Sequence, residues 1–267
     1  MKKFLCKASL LICMSATCFA LESPLGLPYS KDIKSLVKRG DLRVAIYADS
    51  SLSPFVIING KQLEGYNVDM ARAIAAELGV KLHIDRATSY NDAVALVAKG
   101  KDDIAISNVT ATPQRALSVF FTEPYYSMPQ GLIIQKNFDA SKLNANTRVV
   151  SEESLRIGVE AESAYVYYVS LAFPHATVVA YANLNQGLKD LNNNQCDAIF
   201  VDDFSGEQVI AGESALTLFR LGDVHIDPVT MVVSSEKPQL LNWLNLYLNS
   251  LEGKVTQATL KQKVQLP

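Results

Sequence analysis

Short apolar runs separated by amphipathic stretches fill the chain from residue 41 onward. Leu42-Arg43-Val44-Ala45-Ile46 reads as a buried strand. Phe55-Val56-Ile57-Ile58 reads as a second extended segment, followed by the Asn59-Gly60 turn signal. Asn67 stands where a residue can cap a helix, with Asp69 favourable in its first turn. Val68, Ala71, Ile74, Ala75 and Leu78 then recur at helical spacing up to Gly79. Lys81-Leu82-His83-Ile84 reads as a strand, 91–98 as an amphipathic helix ending at Gly100, and Asp103-Ile104-Ala105-Ile106 as a short buried strand. Strand, helix, strand, helix, strand predicts an α/β lobe with parallel strands.

The same grammar begins again later. Leu155 to Val159 and Val178 to Tyr181 read as strands, 163–172 and 184–191 as helices, and Ala198-Ile199-Phe200-Val201 as a closing buried strand. Two copies of one architecture predict two lobes, with Gly131-Leu132-Ile133-Ile134 carrying the chain between them. The 229–233 run leads to a closing helix over 238–251, with Leu240, Leu241, Leu244 and Leu248 on one stripe. That helix is expected to return to the first lobe, which otherwise lacks a covering helix. Residues 21–40 read as a polar arm with a short helix over 31–38. No internal apolar run approaches membrane length.

The first twenty residues change the composition. Lys2, Lys3 and Lys7 precede the apolar Leu10 to Ala16, and Cys18-Phe19-Ala20 offers small residues at −3 and −1, the pattern of a cleaved secretory signal. A lipoprotein cut before Cys18 fits less well, because Ser15-Ala16-Thr17 lacks the usual residues. Of 267 residues 25 are Lys or Arg and 27 Asp or Glu, a formal net charge of −2. Cutting after Ala20 takes three Lys and no acid, leaving 22 bases against 27 acids, a net of −5. Neither balance suits a nucleic-acid partner. The cut also leaves Cys196 as the sole cysteine, so stability rests on a core rather than on disulfides. Cys196, opening an apolar run, reads as a buried small hydrophobe, with a nucleophile the alternative.

Two segments carry candidate chemistry. In Ser107-Asn108-Val109-Thr110-Ala111-Thr112-Pro113-Gln114-Arg115, Thr112 is a good N-cap and Pro113 a good first helical residue. Arg115 then lies in a first helical turn beyond the carboxyl end of a strand, where open α/β sheets place ligands. The helix dipole disfavours a cation there, and a bound carboxylate resolves the conflict. The alternative is a surface Arg paired with an acid such as Glu123. Asp202 ends the equivalent strand of the second unit. Across a cleft, Arg115 would hold an α-carboxylate and Asp202 an α-ammonium. Alternatively Asp202 or Asp203 is only a helix cap.

Several pieces in a fixed order then resemble the periplasmic amino-acid-binding proteins of ABC importers, extracellular solute-binding protein family 3. They are Gly40-Asp41-Leu42-Arg43-Val44, Pro54-Phe55, Gly65-Tyr66-Asn67-Val68-Asp69, Gly100-Lys101-Asp102-Asp103, Thr110 to Arg115, Thr122-Glu123-Pro124-Tyr125-Tyr126, Ile157-Gly158-Val159 and Cys196 to Asp202. Val178 to Asn183 looks most like the lysine/arginine/ornithine-binding members. The resemblance implies an α/β two-lobed clamshell, each lobe a mostly parallel sheet flanked by helices. Residues 1–20 would be the signal peptide, 21–40 an N-terminal arm, 41–128 plus 228–267 lobe one and 132–224 lobe two. Residues 129–131 and 225–227 would form the hinge. It further implies Arg115 as carboxylate ligand, Thr110 as its hydroxyl partner, Asn108 as a backbone contact and Asp202 as ammonium ligand. Tyr90 would stack on the ligand side chain, with core packing the alternative. Ser163 would mark a helix N-terminus meeting the carboxylate. Either Tyr47 or Asp49 would read the ligand's distal end. Asn108 and Glu162 depart from the small residues usual at their positions.

Asp49, Glu160 and Glu162 add negative charge near the pocket, which leans toward a cationic or polar amino acid, unless all three are solvated rim residues. The expectation is an exported, monomeric, periplasmic receptor that delivers one free amino acid to a membrane ABC permease. The alternatives are a cyclohexadienyl-dehydratase-like enzyme on the same scaffold, with Glu160 or Glu162 as acid or base, and a ligand-sensing receptor. No cofactor or metal is expected: His83, His175 and His225 lie far apart, and no Walker A, GxGxxG or GxSxG motif occurs.

Overall fold

The computed structural model describes residues 23–143, 155–222 and 226–266. The expected signal segment and His225 of the expected second hinge segment lie outside them. Helix α1 (Lys31–Arg39) leads into strand β1 (Asp41–Tyr47), and the hairpin β2 (Ile57–Asn59) and β3 (Gln62–Glu64) follows. Then come α2 (Tyr66–Glu77), β4 (Lys81–Ala87), α3 (Tyr90–Ala98), β5 (Ile104–Thr110), the single turn α4 (Pro113–Ala116) and β6 (Val119–Phe121). The ten-residue strand β7 (Tyr126–Gln135) ends the first unit and begins the second. The second unit is β8 (Arg156–Glu160), α5 (Tyr165–Ala172), β9 (Thr177–Tyr181), α6 (Leu184–Asn192), β10 (Ala198–Asp202), α7 (Asp203–Gly212) and β11 (Leu216–Arg220). Strand β12 (Ile226–Ser234) and helices α8 (Pro238–Asn249) and α9 (Leu251–Lys263) close the chain.

In the first unit β4, β1 and β5 are parallel, and β12 runs antiparallel beside β5. In the second, β9, β8 and β10 are parallel, and β7 runs antiparallel beside β10. The two sheets are continuous through β7. Its start pairs β12, Tyr126 with Val229 and Pro129 with Ile226, and its end pairs β10, Gln130 with Asp202 and Ile134 with Ala198.

Alternation along the strands builds the cores, because successive side chains point to opposite faces. On β1, Leu42, Val44 and Ile46 pack with Leu36, Met70, Ile74 and Leu240 on one face, and Ala45 and Tyr47 pack with Ala93 and Val97 of α3 on the other. In the second unit Leu132, Ile134, Ile157, Val159 and Phe200 meet Val169 and Phe173, while Ile133, Ile199 and Val201 meet Leu191 on the far face. Each buried Val, Leu, Ile, Met or Phe among them contributes about 1.5–3 kcal/mol. Cys196 is a buried free thiol, pushed up to about 11 by its burial, in keeping with a packing role. No helix among the described residues is long and apolar enough to cross a membrane.

Several elements differ from the sequence reading. Helix α2 is capped by Gly65, not Asn67. Gly65 adopts φ 104°, and a Cβ there would lie 2.6 Å from the Pro54 carbonyl oxygen, so the chain turns two residues earlier and Asn67 is drawn into the buried first turn. Phe55 and Val56 are buried turn residues rather than strand, since their backbone N–H groups both bond Leu52 O. Strand β5 continues through Asn108 to Thr110. The expected closing helix is two helices. Ser250 leaves helical geometry at ψ 160° and its hydroxyl accepts from Gly253 N, which starts α9. Helix α8 does return to the first unit, with Leu240, Leu244 and Leu248 in its core.

Candidate functional site

Tyr47, Thr110, Glu160 and Asp202 are the last residues of β1, β5, β8 and β10. The carboxyl ends of the parallel strands of both units therefore converge, as open α/β sheets arrange their ligand crevices. A partly solvent-open cavity lies between them. Tyr90, Asn108, Thr110, Arg115, Ser163 and Asp202 line it. Tyr47, Asp49 and Glu160 do not.

Thr112 caps α4, its hydroxyl accepting from Arg115 N at 3.3 Å, with Pro113 at the helix start. This turn sets the Arg115 side chain across the cleft. Its Nη1 donates to Thr110 O at 3.1 Å, and Nη2 donates to Asn91 Oδ1 at 3.2 Å and to Glu162 O of the opposite unit at 3.0 Å. All three acceptors are uncharged, and Arg115 forms no ion pair among the described residues. Burial lowers its pKa, opposed by the nearby Asp227. A half-buried guanidinium without a counter-ion is an anion-binding group by charge and by fork geometry. Glu123 is not its partner; the Glu123 carboxylate accepts from Asn249 Nδ2.

Asp202 is both a cap and a cavity residue. Its Oδ1 accepts from Ser205 N and its Oδ2 from the Ser205 hydroxyl, at 2.8 and 2.7 Å. Burial raises its pKa despite both bonds. Asp203 turns away and pairs with Arg220 at 3.0 Å. Asn108 has φ 52°, and its side-chain oxygen accepts from Asn67 Nδ2 at 3.0 Å. The Ser163 hydroxyl donates to Glu160 O at 2.6 Å and accepts from Tyr165 N at 3.2 Å, at the start of α5.

Behind Tyr90 the units touch. Tyr47 and Tyr90 meet edge to face at 4.8 Å between centroids, and the Tyr47 hydroxyl donates to Glu160 Oε1 at 3.3 Å. Burial, with the charges of Asp49 and Asp202, pushes Glu160 up to about 7, so it titrates near neutrality. Asp49 is occupied elsewhere, accepting from Ser51 N and the Ser51 hydroxyl in the short turn Ser50–Leu52. Glu162 contributes its backbone carbonyl to Arg115 and stands at φ 61°.

The sequence reading missed Asp227, as well as Phe55, Met128 and Tyr165 of the cavity wall. Asp227 lies near the amino end of β12, and β12 runs antiparallel to β5, with Val229 opposite Thr110. A rule that looks at the carboxyl ends of parallel strands passes over it. The available signal was Asp227-Pro228, an acid entering an apolar strand. Among the described residues no group of three or more His, Cys, Asp or Glu is placed to hold a metal ion.

Comparison with known proteins agrees with this architecture. The model of bacterial extracellular solute-binding proteins, family 3, matches residues 42–265. An arginine-binding periplasmic protein of Mannheimia haemolytica is 27% identical over 158 residues, covering 59% of this chain and 62% of the relative. A probable histidine-binding protein of Campylobacter jejuni is 27% identical over 166 residues, 62% of each chain. The chain thus spans about three-fifths of the length of these curated relatives. The crystal structure of an ancestral amino acid-binding protein, described as a precursor of cyclohexadienyl dehydratase, superposes with a TM-score of 0.71 at 25% identity, covering 87% of this chain and 98% of that one. With its two convergent α/β units and a match over most of its length, the chain belongs to the bacterial extracellular solute-binding proteins, family 3.

Proposed function

We propose that this chain is an extracytoplasmic receptor that binds one free amino acid, cationic by preference, between Arg115 and Asp202 and delivers it to a membrane ABC permease. The observation that carries the reading is the Arg115 guanidinium: half-buried, bonded only to uncharged oxygens, and set across a cavity from buried carboxylates. An α-carboxylate complements it, and an α-ammonium complements Asp202. With Asp202 and Asp227 against one Arg, the cavity carries an excess of negative charge when both carboxyls are ionised. A neutral zwitterion leaves that excess in place, whereas a cationic amino acid offsets it. The names of the arginine-binding and histidine-binding relatives point the same way. In this reading the chain is exported, acts as a monomer, and comprises the lobes 41–128 plus 228–267 and 132–224.

A thermal-shift panel of the twenty amino acids with ornithine and citrulline tests it. A tight ligand raises the melting temperature by mass action, and the largest shifts are expected from Arg, Lys, ornithine or His. Arg115→Ala is expected to lose binding by about 3–5 kcal/mol and Asp202→Asn by about 2–5 kcal/mol, both read by calorimetry on folded protein. Unchanged affinity in a folded Arg115→Ala protein would overturn the clamp.

A second reading has one observation in its favour. Glu160, held near 7 and bonded to Tyr47, has the protonation behaviour of a general acid on a scaffold whose structural relative is described as a dehydratase precursor. Incubation of the purified protein with prephenate or arogenate distinguishes the two: aromatic product would replace the receptor reading with an enzyme.

A further inference from the structure

Asp227 is the one acidic residue of the cavity wall not accounted for by the clamp. It is buried, at 3% exposure. Its Oδ2 accepts from the Thr110 hydroxyl at 2.7 Å, while its Oδ1 has no hydrogen-bond partner among the described residues. The groups facing it are Thr110, Arg115, Asp202, Tyr90 and Tyr125 and, from the opposite unit, Tyr165 and the Tyr168 hydroxyl, which stands near enough to stabilise the ionised carboxylate in part. Leaving a buried carboxylate oxygen unbonded is costly unless a donor or cation arrives.

Geometry decides which part of a ligand arrives. Arg115 Nη1 bonds the carbonyl of Thr110, and the hydroxyl of the same residue bonds Asp227. Guanidinium and carboxylate are thus joined through one residue. In an α-amino acid the ammonium is separated from the carboxylate only by the α-carbon, whereas a side-chain cation is several bonds further away. A ligand with its carboxylate on Arg115 presents its α-ammonium to Asp227 before any other group.

We propose that Asp227 is a second receptor for the α-ammonium, which it shares with Asp202, so that the cavity selects for a free, charged α-amine. The claim rests on the amino-acid reading above. Two carboxylates on one ammonium disfavour N-acylated amino acids and α-hydroxy acids, which lack that charge. They also couple binding to proton release. Burial pushes Asp227 up to about 6, against its bond from Thr110, and an arriving cation favours its ionised form.

The test uses L-arginine, L-lysine and L-histidine titrated calorimetrically into the full mature chain and its Asp227→Asn variant. Asn keeps an oxygen to accept from the Thr110 hydroxyl but replaces the free oxygen with a donor. The best of the three ligands is expected to lose at least about thirtyfold in affinity at pH 7.5. Affinity within threefold of wild type in a folded variant overturns the inference and leaves the receptor reading standing. If none of the three, nor any member of the thermal-shift panel, binds the wild-type chain, the receptor reading falls and the inference with it. Should Asp227→Asn fail to fold, proton linkage decides. Titrations of L-arginine or L-lysine at pH 6 in two buffers of different ionisation enthalpy, in the Glu160→Gln background, are expected to show net proton release on binding. No release would overturn the assignment.

Discussion

Two of the four described non-glycine residues at positive φ stand beside the cavity. Asn108 and Glu162 both lie in the left-handed region, at φ 52° and 61°, and both present backbone or side-chain oxygens beside the cavity. Asn tolerates that region, whereas Glu pays no such dividend from its side chain. Glu162→Gly is therefore expected to raise the melting temperature by about 2–4 °C, near 1 kcal/mol for a chain of this size, without losing the carbonyl that Arg115 uses. Burial sets the behaviour of Glu160. Its folded pKa of about 7 exceeds the ordinary 4.5, so the folded state holds this proton more tightly than the unfolded one. The associated stability is complete below about pH 4 and is lost as pH rises through 7. Glu160→Gln is expected to melt above wild type at pH 8, by roughly 1–3 kcal/mol, with the advantage shrinking toward pH 5. A thermal melt series across that range checks it.

At the level of elements, helix ends divide into those set by local chemistry and those set by packing. Thr112 with Pro113, and the helices ending at Gly79 and Gly100, follow from local chemistry visible in the chain. Gly65 and Ser250 do not, because the first is selected by Pro54, a neighbour distant in sequence, and the second by a corner between helices. At Gly253 a Cβ would lie 1.9 Å from the Tyr247 carbonyl oxygen, so the α8–α9 corner closes only over glycine. Gly253→Ala is expected to lower the melting temperature by about 4–10 °C through overpacking of 1–3 kcal/mol, with amide exchange speeding first in α9.

Across the whole molecule, contacts between the units hold the cleft together at both sides of the cavity. Arg115 to the Glu162 carbonyl and Tyr47 to Glu160 lie on one side. On the other, Gln208 Nε2 donates to Ser53 O at 3.3 Å, and the Phe55 and Phe204 rings meet edge to face at 6.0 Å. In the receptor reading, such contacts favour the closed arrangement and so raise apparent ligand affinity by its population. Phe204→Ala, which touches no charge of the clamp, is expected to weaken amino-acid binding about five- to tenfold, chiefly through faster dissociation, as measured by stopped-flow and calorimetry.

Periodicity and turn chemistry along the chain determined the alternating strands and helices, their duplication, and the helix start that carries Arg115, because each depends on residues within one or two turns of one another. They also placed Asp202 at the end of a strand. Which carboxylate of Asp202 and Asp203 turns inward depends on α7 packing and on Arg220, and only the tertiary structure decided it. The same holds for Asp49, occupied by its own turn, and for Asp227, brought to the cavity by an antiparallel strand more than a hundred residues from Thr110. Pattern in a sequence records local propensity and burial, whereas a site made of charges from several strands is set by sheet order and direction, which a linear pattern does not encode.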